Sequence, residues 1–291
     1  MRAVRILLFV LAAAVTLLYG AVCVKDAFFT DKTPPVLSFD SETVSVSVSD
    51  GNDALLAGVT ARDDTDGDLS GEVMVRSVSQ FVSENTALVS YVVFDHSDNM
   101  ATASRNVQYT DYRSPHFALS APLRFRTGST VLLSDRLSAS DVLDGDLSGS
   151  VRLVDTNLNN DAEGIYSVTV QVTNRMGDTA AVELPVIIYS QSAQDPEITL
   201  TDYLIYLPAG TYFDPAGYLD QVTDPLVPST TVTNEDGEEA QLPAEGLRDA
   251  VTVDSNVDPD TPGVYRVIYT YTNEINGRER SASVAMAVVV E

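Results

Sequence analysis

The sequence predicts an all-β chain, three tandem β-sandwiches behind an N-terminal transmembrane helix. An uncharged run fills Ile6–Val24, proline-headed stretches of alternating apolar residues recur about every 80 residues, and no amphipathic helical period follows Lys25. A chain of 291 residues with 44% hydrophobic content has room for two or three packed domains.

The first element reads "MRAVRILLFVLAAAVTLLYGAVCVKD". Its uncharged run rises roughly 28 Å as a helix, close to one bilayer core. Arg2 and Arg5 precede the run and are expected to stay inside, so that the remainder of the chain is exported. Ala21-Val22-Cys23 is a weak cleavage site, which favours an uncleaved signal anchor and a cell-membrane location; cleavage would give a secreted protein. A lipoprotein signal through Cys23 fits less well, because Val22 stands where a small residue is wanted. Residues 1–32 are therefore read as cytoplasmic stub, anchor and short linker.

Three modules are expected next, at 33–111, 112–190 and 191–291. Each opens on proline and alternating apolar residues: "PVLSF" from Pro35, "PHFAL" from Pro115 and "PEITL" from Pro196. A late signature closes each module, "DAEGIYSV" at Asp161–Val168 and "DTPGVYRV" at Asp260–Val267, with "ENTALVSY" at Glu84–Tyr91 a decayed version. Beyond it, Val168, Val170 and Val172, and Tyr265, Val267, Tyr269 and Tyr271, alternate with period two, as in a strand with one face on a core. Val44–Val48, Val182–Ile188 and Val284–Val290 also read as strands. "DHSDN" at Asp95, "NRMGD" at Asn174 and "NEINGR" at Asn273 read as hairpin turns. About seven short strands per module point to sandwiches, each closing its own core, with neighbours touching mainly at linkers.

The D-x-x-G-x-Y pattern opening a late strand resembles the tyrosine-corner segment of immunoglobulin-like domains. Together with "DGDLSG", present at Asp66–Gly71 and again at Asp144–Gly149, it resembles the bacterial immunoglobulin-like surface modules found in tandem, similar to hyalin repeats and to the module type of one class of pesticidal crystal toxin. The resemblance covers roughly residues 33–190. The third module departs from it, lacking "DGDLSG" and carrying a longer segment from Pro208 to Ala250 with an acidic turn "NEDGEE" at Asn234. The resemblance implies immunoglobulin-like sandwiches, a surface or adhesive setting and no catalysis. It also implies that the Tyr166 and Tyr265 hydroxyls bond back to main chain.

Chemistry is sparse. A formal net charge of −25, from 42 acidic residues against 17 Lys and Arg, repels phosphate backbones and argues against nucleic acid. Cys23 alone allows no internal disulfide. His96 and His116 read as surface residues, and no nucleophile or phosphate-loop motif is found, so neither an enzyme nor a cofactor is expected. In "DDTDGDLSG", Asp63, Asp64, Asp66 and Asp68 supply enough hard oxygen for calcium, and Asp64, Asp66 and Asp68 are weak calcium candidates, with Asp144 and Asp146 in the second copy. The EF-hand register fails, because aligning Gly67 on the required glycine puts Arg62 at the first ligand position and Val73 at the bidentate glutamate. The preferred reading is an Asp-Gly turn, in which Asn should replace Asp66 or Asp144 at little cost. Tyr203, Tyr206, Tyr212 and Tyr218 are weak candidates for a ligand surface, though strand and loop packing accounts for them more simply.

The expected function is a membrane-anchored extracellular spacer or adhesive module, non-catalytic, attached through Ile6 to Val24 and meeting an unknown extracellular protein or glycan. The alternative is a cell-wall or glycan-binding protein using the tyrosine-rich third module.

Overall fold

The computed structural model describes residues 2–28, 31–190, 195–227, 230–233, 239–242, 246–275 and 277–291. The acidic turn at Asn234 lies outside them. The chain divides into two compact units, Met1–Tyr112 and Arg113–Glu291.

The first unit opens on helix α1, Arg2–Phe28, rich in Leu and Ala and without proline. Ile6, Phe9 and Leu17 on it are exposed. Among the described residues no helix is long and apolar enough to cross a membrane. The spanning helix expected over Ile6–Val24 is thus not supported by the fold.

The rest of the unit is β structure. Val36–Phe39 pairs antiparallel with Val59–Asp63, which pairs in turn with Gly67–Asp68. A second sheet runs in the order Thr43–Val46, Met100–Tyr109, Thr86–Phe94, Met74–Ser83, its first pair parallel. Ala87, Val89, Tyr91 and Val93 alternate along one strand and are fully buried, the same one-face pattern read for the later repeats. Each buried valine contributes about 1.5–3 kcal/mol relative to exposure. The Phe39 ring lies 5.4 Å from that of Tyr91 and joins the two sheets. Arg105 is buried beside them, its Nε donating to Tyr91 Oη at 3.0 Å and its Nη2 to Leu55 O at 3.1 Å. A short helix, Asn52–Leu55, sits where no helix was expected and packs Leu55 inward.

The second unit repeats this arrangement twice. His116–Leu119, Leu137–Asp141 and Gly145–Asp146 form one sheet. Arg124–Arg126, Thr179–Tyr189, Gly164–Thr173 and Arg152–Thr156 form the other, with Arg124–Arg126 parallel to its neighbour. In the last repeat Glu197–Leu200 pairs with Leu219–Thr223, and Leu204–Leu207, Arg278–Val290, Gly263–Ile275 and Val251–Ser255 form the larger sheet. Thr230–Thr233 and Glu239–Leu242 make an additional antiparallel pair. In all three repeats the first strand begins directly after its proline, where the missing N–H costs no ladder bond. The final hairpin is tighter than expected, pairing Ile275 with Arg278.

The second and third repeats each have a core, the third built on Ile198, Leu200, Val267 and Tyr269, and the two meet at a buried junction. Phe117, Leu137, Val168, Val170 and Leu184 cluster with Ala287 from the last strand of the third repeat. Ile187, Ile268 and Ala285 form a further buried patch between the repeats. Residues 112–190 thus meet the third repeat at a buried junction, beyond the linker contact expected. The cause is local: Leu184–Ile188 and Val284–Val288 are buried at every position, so these two strands are covered on both faces.

Candidate functional site

The repeated acidic turn is built on two strands held by a left-handed glycine. Asp63 pairs with Gly67 and Asp141 with Gly145, at φ of 81° and 70° for the glycines. Only glycine adopts that backbone without strain. Leu69 and Leu147 plug the core beneath. Ser70 Oγ accepts from Ala61 N at 3.0 Å, and Ser148 Oγ from Ala139 N at 3.2 Å.

Each candidate carboxylate has a place in this frame. Asp68 accepts from the Ser70 hydroxyl and backbone N–H, and these two bonds hold its carboxyl below the usual value. Asp146 is lowered in the same way by Ser148. Asp66 Oδ2 accepts from His96 N at 3.0 Å while Oδ1 meets His96 Nδ1 at 2.9 Å, a contact that raises the imidazole pKa. Asp144 does the same to Arg175, at 2.7 Å to its N and 3.2 Å to Nε. Asp64 is exposed. The turn thus ties the strand end to the hairpin turn 30 residues further on, a link that local spacing does not reveal.

The preceding acid is also structural in the later repeats. Asp141 Oδ1 accepts from Leu143 and Asp144 N–H at 3.0 and 2.6 Å, and its Oδ2 from Asn174 Nδ2 at 2.7 Å. Asp224 accepts from Leu226 N at 3.1 Å, Tyr271 Oη at 3.2 Å, Asn273 Nδ2 at 3.3 Å and the Arg280 guanidinium. In the first repeat the acidic side chains close enough to share a cation, among the described residues, are Asp31, Asp63 and Asp95. Sequence reasoning named Asp63 among the oxygens of the acidic turn but singled out neither Asp31 nor Asp95.

The four tyrosine candidates have separate surroundings. Tyr203 Oη accepts from Leu200 N at 3.4 Å, and Tyr218 packs its ring 5.7 Å from that of Phe213. Tyr206 Oη accepts from Phe117 N at 2.8 Å and its ring lies 4.2 Å from His116, which places it in the junction. Tyr212 is 86% exposed and is the one of the four that faces water. His116 itself meets Ser114 O at 2.8 Å and Glu291 Oε1 at 3.3 Å.

The tyrosines of the late signature behave as the resemblance implies. Tyr166 Oη donates to Ala162 O at 3.1 Å and Tyr265 Oη to Thr261 O at 2.8 Å. The glycine two residues earlier has a physical reason, since a Cβ on Gly164 or Gly263 would meet the tyrosine ring at 3.3 or 3.4 Å. In the first repeat the hairpin register matches Phe94 to Thr173, which puts buried Ala87 where Tyr166 stands. Tyr166, Asn157 and Ile165 face Tyr265, Asn256 and Val264 across a cleft of roughly 300 Å³ between the second and third repeats.

No protein-family model matches the chain. It is 28% identical over 144 residues to the pesticidal crystal protein Cry22Aa of Bacillus thuringiensis, a match covering 49% of this chain and 17% of that protein. The chain thus spans a minor part of this relative's length, and the sequence likeness agrees with tandem β modules. Among solved structures it is similar to a Clostridium perfringens ZmpB structure holding an M60 catalytic domain with CBM51-1 and CBM51-2 domains, at 12% identity, 86% of this chain, 42% of that one and TM-score 0.25. It is also similar to the lipoprotein BT2262 of Bacteroides thetaiotaomicron, at 14% identity, 59% of this chain, 98% of that one and TM-score 0.24. Superpositions this loose carry no argument about what the chain binds.

Proposed function

We propose that this chain is a non-catalytic surface protein of immunoglobulin-like repeats, acting as a spacer or adhesive module. The observation that supports it most is the junction within Arg113–Glu291. Two repeats that bury Ile187, Ile268, Ala285 and Ala287 meet at an apolar junction, and such a junction limits bending between repeats, which suits a spacer. The titratable groups that a catalyst would use are instead spent on turns: Asp66 on His96, Asp144 on Arg175, Asp224 on Arg280. We place the repeats outside the cell, with the exposed apolar side chains of α1 as the membrane-facing element. Protease added to intact cells should remove the repeats, and a full-length protein surviving that treatment overturns the placement.

A glycan-binding reading has one observation in its favour, the cleft flanked by Tyr166 and Tyr265 with Asn157, Asn256 and Arg266 alongside. Aromatic faces beside amide and guanidinium donors suit a sugar ring. A glycan array probed with the full chain decides: binding abolished by Tyr265→Ala favours the glycan reading, and no retained glycan favours the spacer.

A further inference from the structure

Asp63, Asp141 and Asp224 hold one equivalent position in the three repeats, and each caps the turn after it with Oδ1; Asp63 accepts there from Thr65 and Asp66 N–H at 2.8 and 3.0 Å. What meets the other oxygen differs. Asp141 receives the amide of Asn174, and Asp224 receives Tyr271 and Asn273. Asp63 is 8% exposed, and its Oδ2 is buried without a hydrogen-bond partner.

The residue facing it explains why. Asp95 lies two residues after buried Val93, as Asn174 lies two after buried Val172. Asp95 Oδ1 accepts from Ser97 and Asn99 N–H, both at 2.8 Å, just as Asn174 Oδ1 accepts from Met176 and Asp178 N–H, both at 3.0 Å. The two side chains share a pose, so Asp95 presents an oxygen where Asn174 presents its donating NH2. An acceptor there faces another acceptor. A third carboxylate completes the group: Asp31 Oδ1 is held by Thr33 N at 2.9 Å, while its Oδ2 is buried and unpartnered. Asn99 Nδ2 bonds Asp95 Oδ2 at 2.7 Å and Asp31 O at 3.1 Å and draws the three segments together.

We propose that Asp31, Asp63 and Asp95 bind one calcium ion, which ties residues 31–33 ahead of the first strand to the hairpin turn at 95–99. One oxygen from each lies within 4.8 Å of the other two. Oxygens about 2.4 Å from one calcium lie at most about 4.8 Å apart, so these separations admit the ion. Three carboxylates leave the remaining positions of a six- to eight-oxygen shell to water. The acidic turn at Asp66–Gly71 is not this site, because its carboxylates already accept from Ser70 and His96. The inference stands apart from the spacer reading, since an ion here needs no partner molecule.

The test uses the full chain in mild detergent, stripped with EDTA and titrated with CaCl2, with MgCl2 and NaCl at equal ionic strength as controls. Calorimetry should read one calcium per chain. The melting transition of the first unit should rise by several degrees beyond the NaCl control, as a ligand of the folded state alone must cause. Asp95→Asn installs the amide that the second repeat already uses, so it should fold and lose the calcium response. Asp144→Asn should keep it. The proposal is overturned if wild type shows no calcium-specific heat or shift. A response that survives Asp95→Asn, or that disappears in Asp144→Asn, overturns it equally.

Discussion

The Asn174 amide donates to Asp141 Oδ2 at 2.7 Å, and through that bond a hairpin turn closes over the end of a strand 33 residues earlier. Asn174 is 5% exposed, so the bond is sheltered from water. Asn174→Asp replaces the donor by a second acceptor with like charge, and a buried polar group left unsatisfied costs about 1–3 kcal/mol. Urea unfolding of the second unit at neutral pH should show a loss in that range. An unchanged midpoint would mean the bond contributes nothing.

The equivalent Asp224 predicts an acid limb. Burial alone would raise its carboxyl, but donation from Arg280, Leu226 N–H and Asn273 outweighs burial and holds it below its ordinary value. A depressed native pKa means a contribution fully present above the unfolded value near 3.9 and lost as pH falls through the native one. Asp224→Asn should flatten stability against pH below about 4; an acid limb as steep as wild type would show that other groups set it. At the other end, burial pushes the Tyr269 phenol up while its hydroxyl donates to Pro215 O at 2.7 Å. Its contribution is whole below pH about 10 and fades above it, a loss that Tyr269→Phe should remove.

Tyr166 and Tyr265 make the same bond back to the main chain, at 3.1 and 2.8 Å. Replacing either by Phe removes one hydroxyl bond and keeps the ring, so each change should cost about 0.5–1 kcal/mol. Because both repeats share one junction, both variants should shift the same cooperative transition. Two separate transitions in the melting curve would contradict coupling through the junction.

Local signals carried most of the fold. Proline-headed strands, the Gly164–Tyr166 and Gly263–Tyr265 pairs and the alternating Val168, Val170 and Val172 depend on neighbours a few residues apart, and spacing reveals them. The Leu184–Ile188 and Val284–Val288 runs were legible as strands with one face on a core, but their burial on both faces depends on the adjoining repeat, which spacing within one strand does not reveal. The acidic cluster was not legible. Asp31 and Asp95 are brought together only by the hairpin register and by Asn99, and in a chain with 42 acidic residues no acid stands out by composition. What distinguishes Asp95 is its contrast with Asn174, which becomes visible once strand pairing fixes which residues correspond.

The same long-range geometry changes what is expected of the "DGDLSG" turn. As a local Asp-Gly turn it would accept Asn for Asp144 at little cost. The structure uses both carboxylate oxygens across the sheet end, Oδ2 on Arg175 N at 2.7 Å and Oδ1 on Arg175 Nε at 3.2 Å. An asparagine offers one acceptor and turns an NH2 toward a donor. The Arg175 side chain is 64% exposed, so its ion pair contributes little, and the backbone bond to a charged acceptor carries most of the effect. Asp144→Asn should therefore cost about 1 kcal/mol, and Asp144→Ala about 2 kcal/mol as both acceptors go. Arg175→Ala should cost less than either, since the backbone N–H remains. Urea midpoints of the three variants give the order directly, and an Arg175→Ala loss equal to that of Asp144→Ala would show that the side-chain ion pair holds the turn.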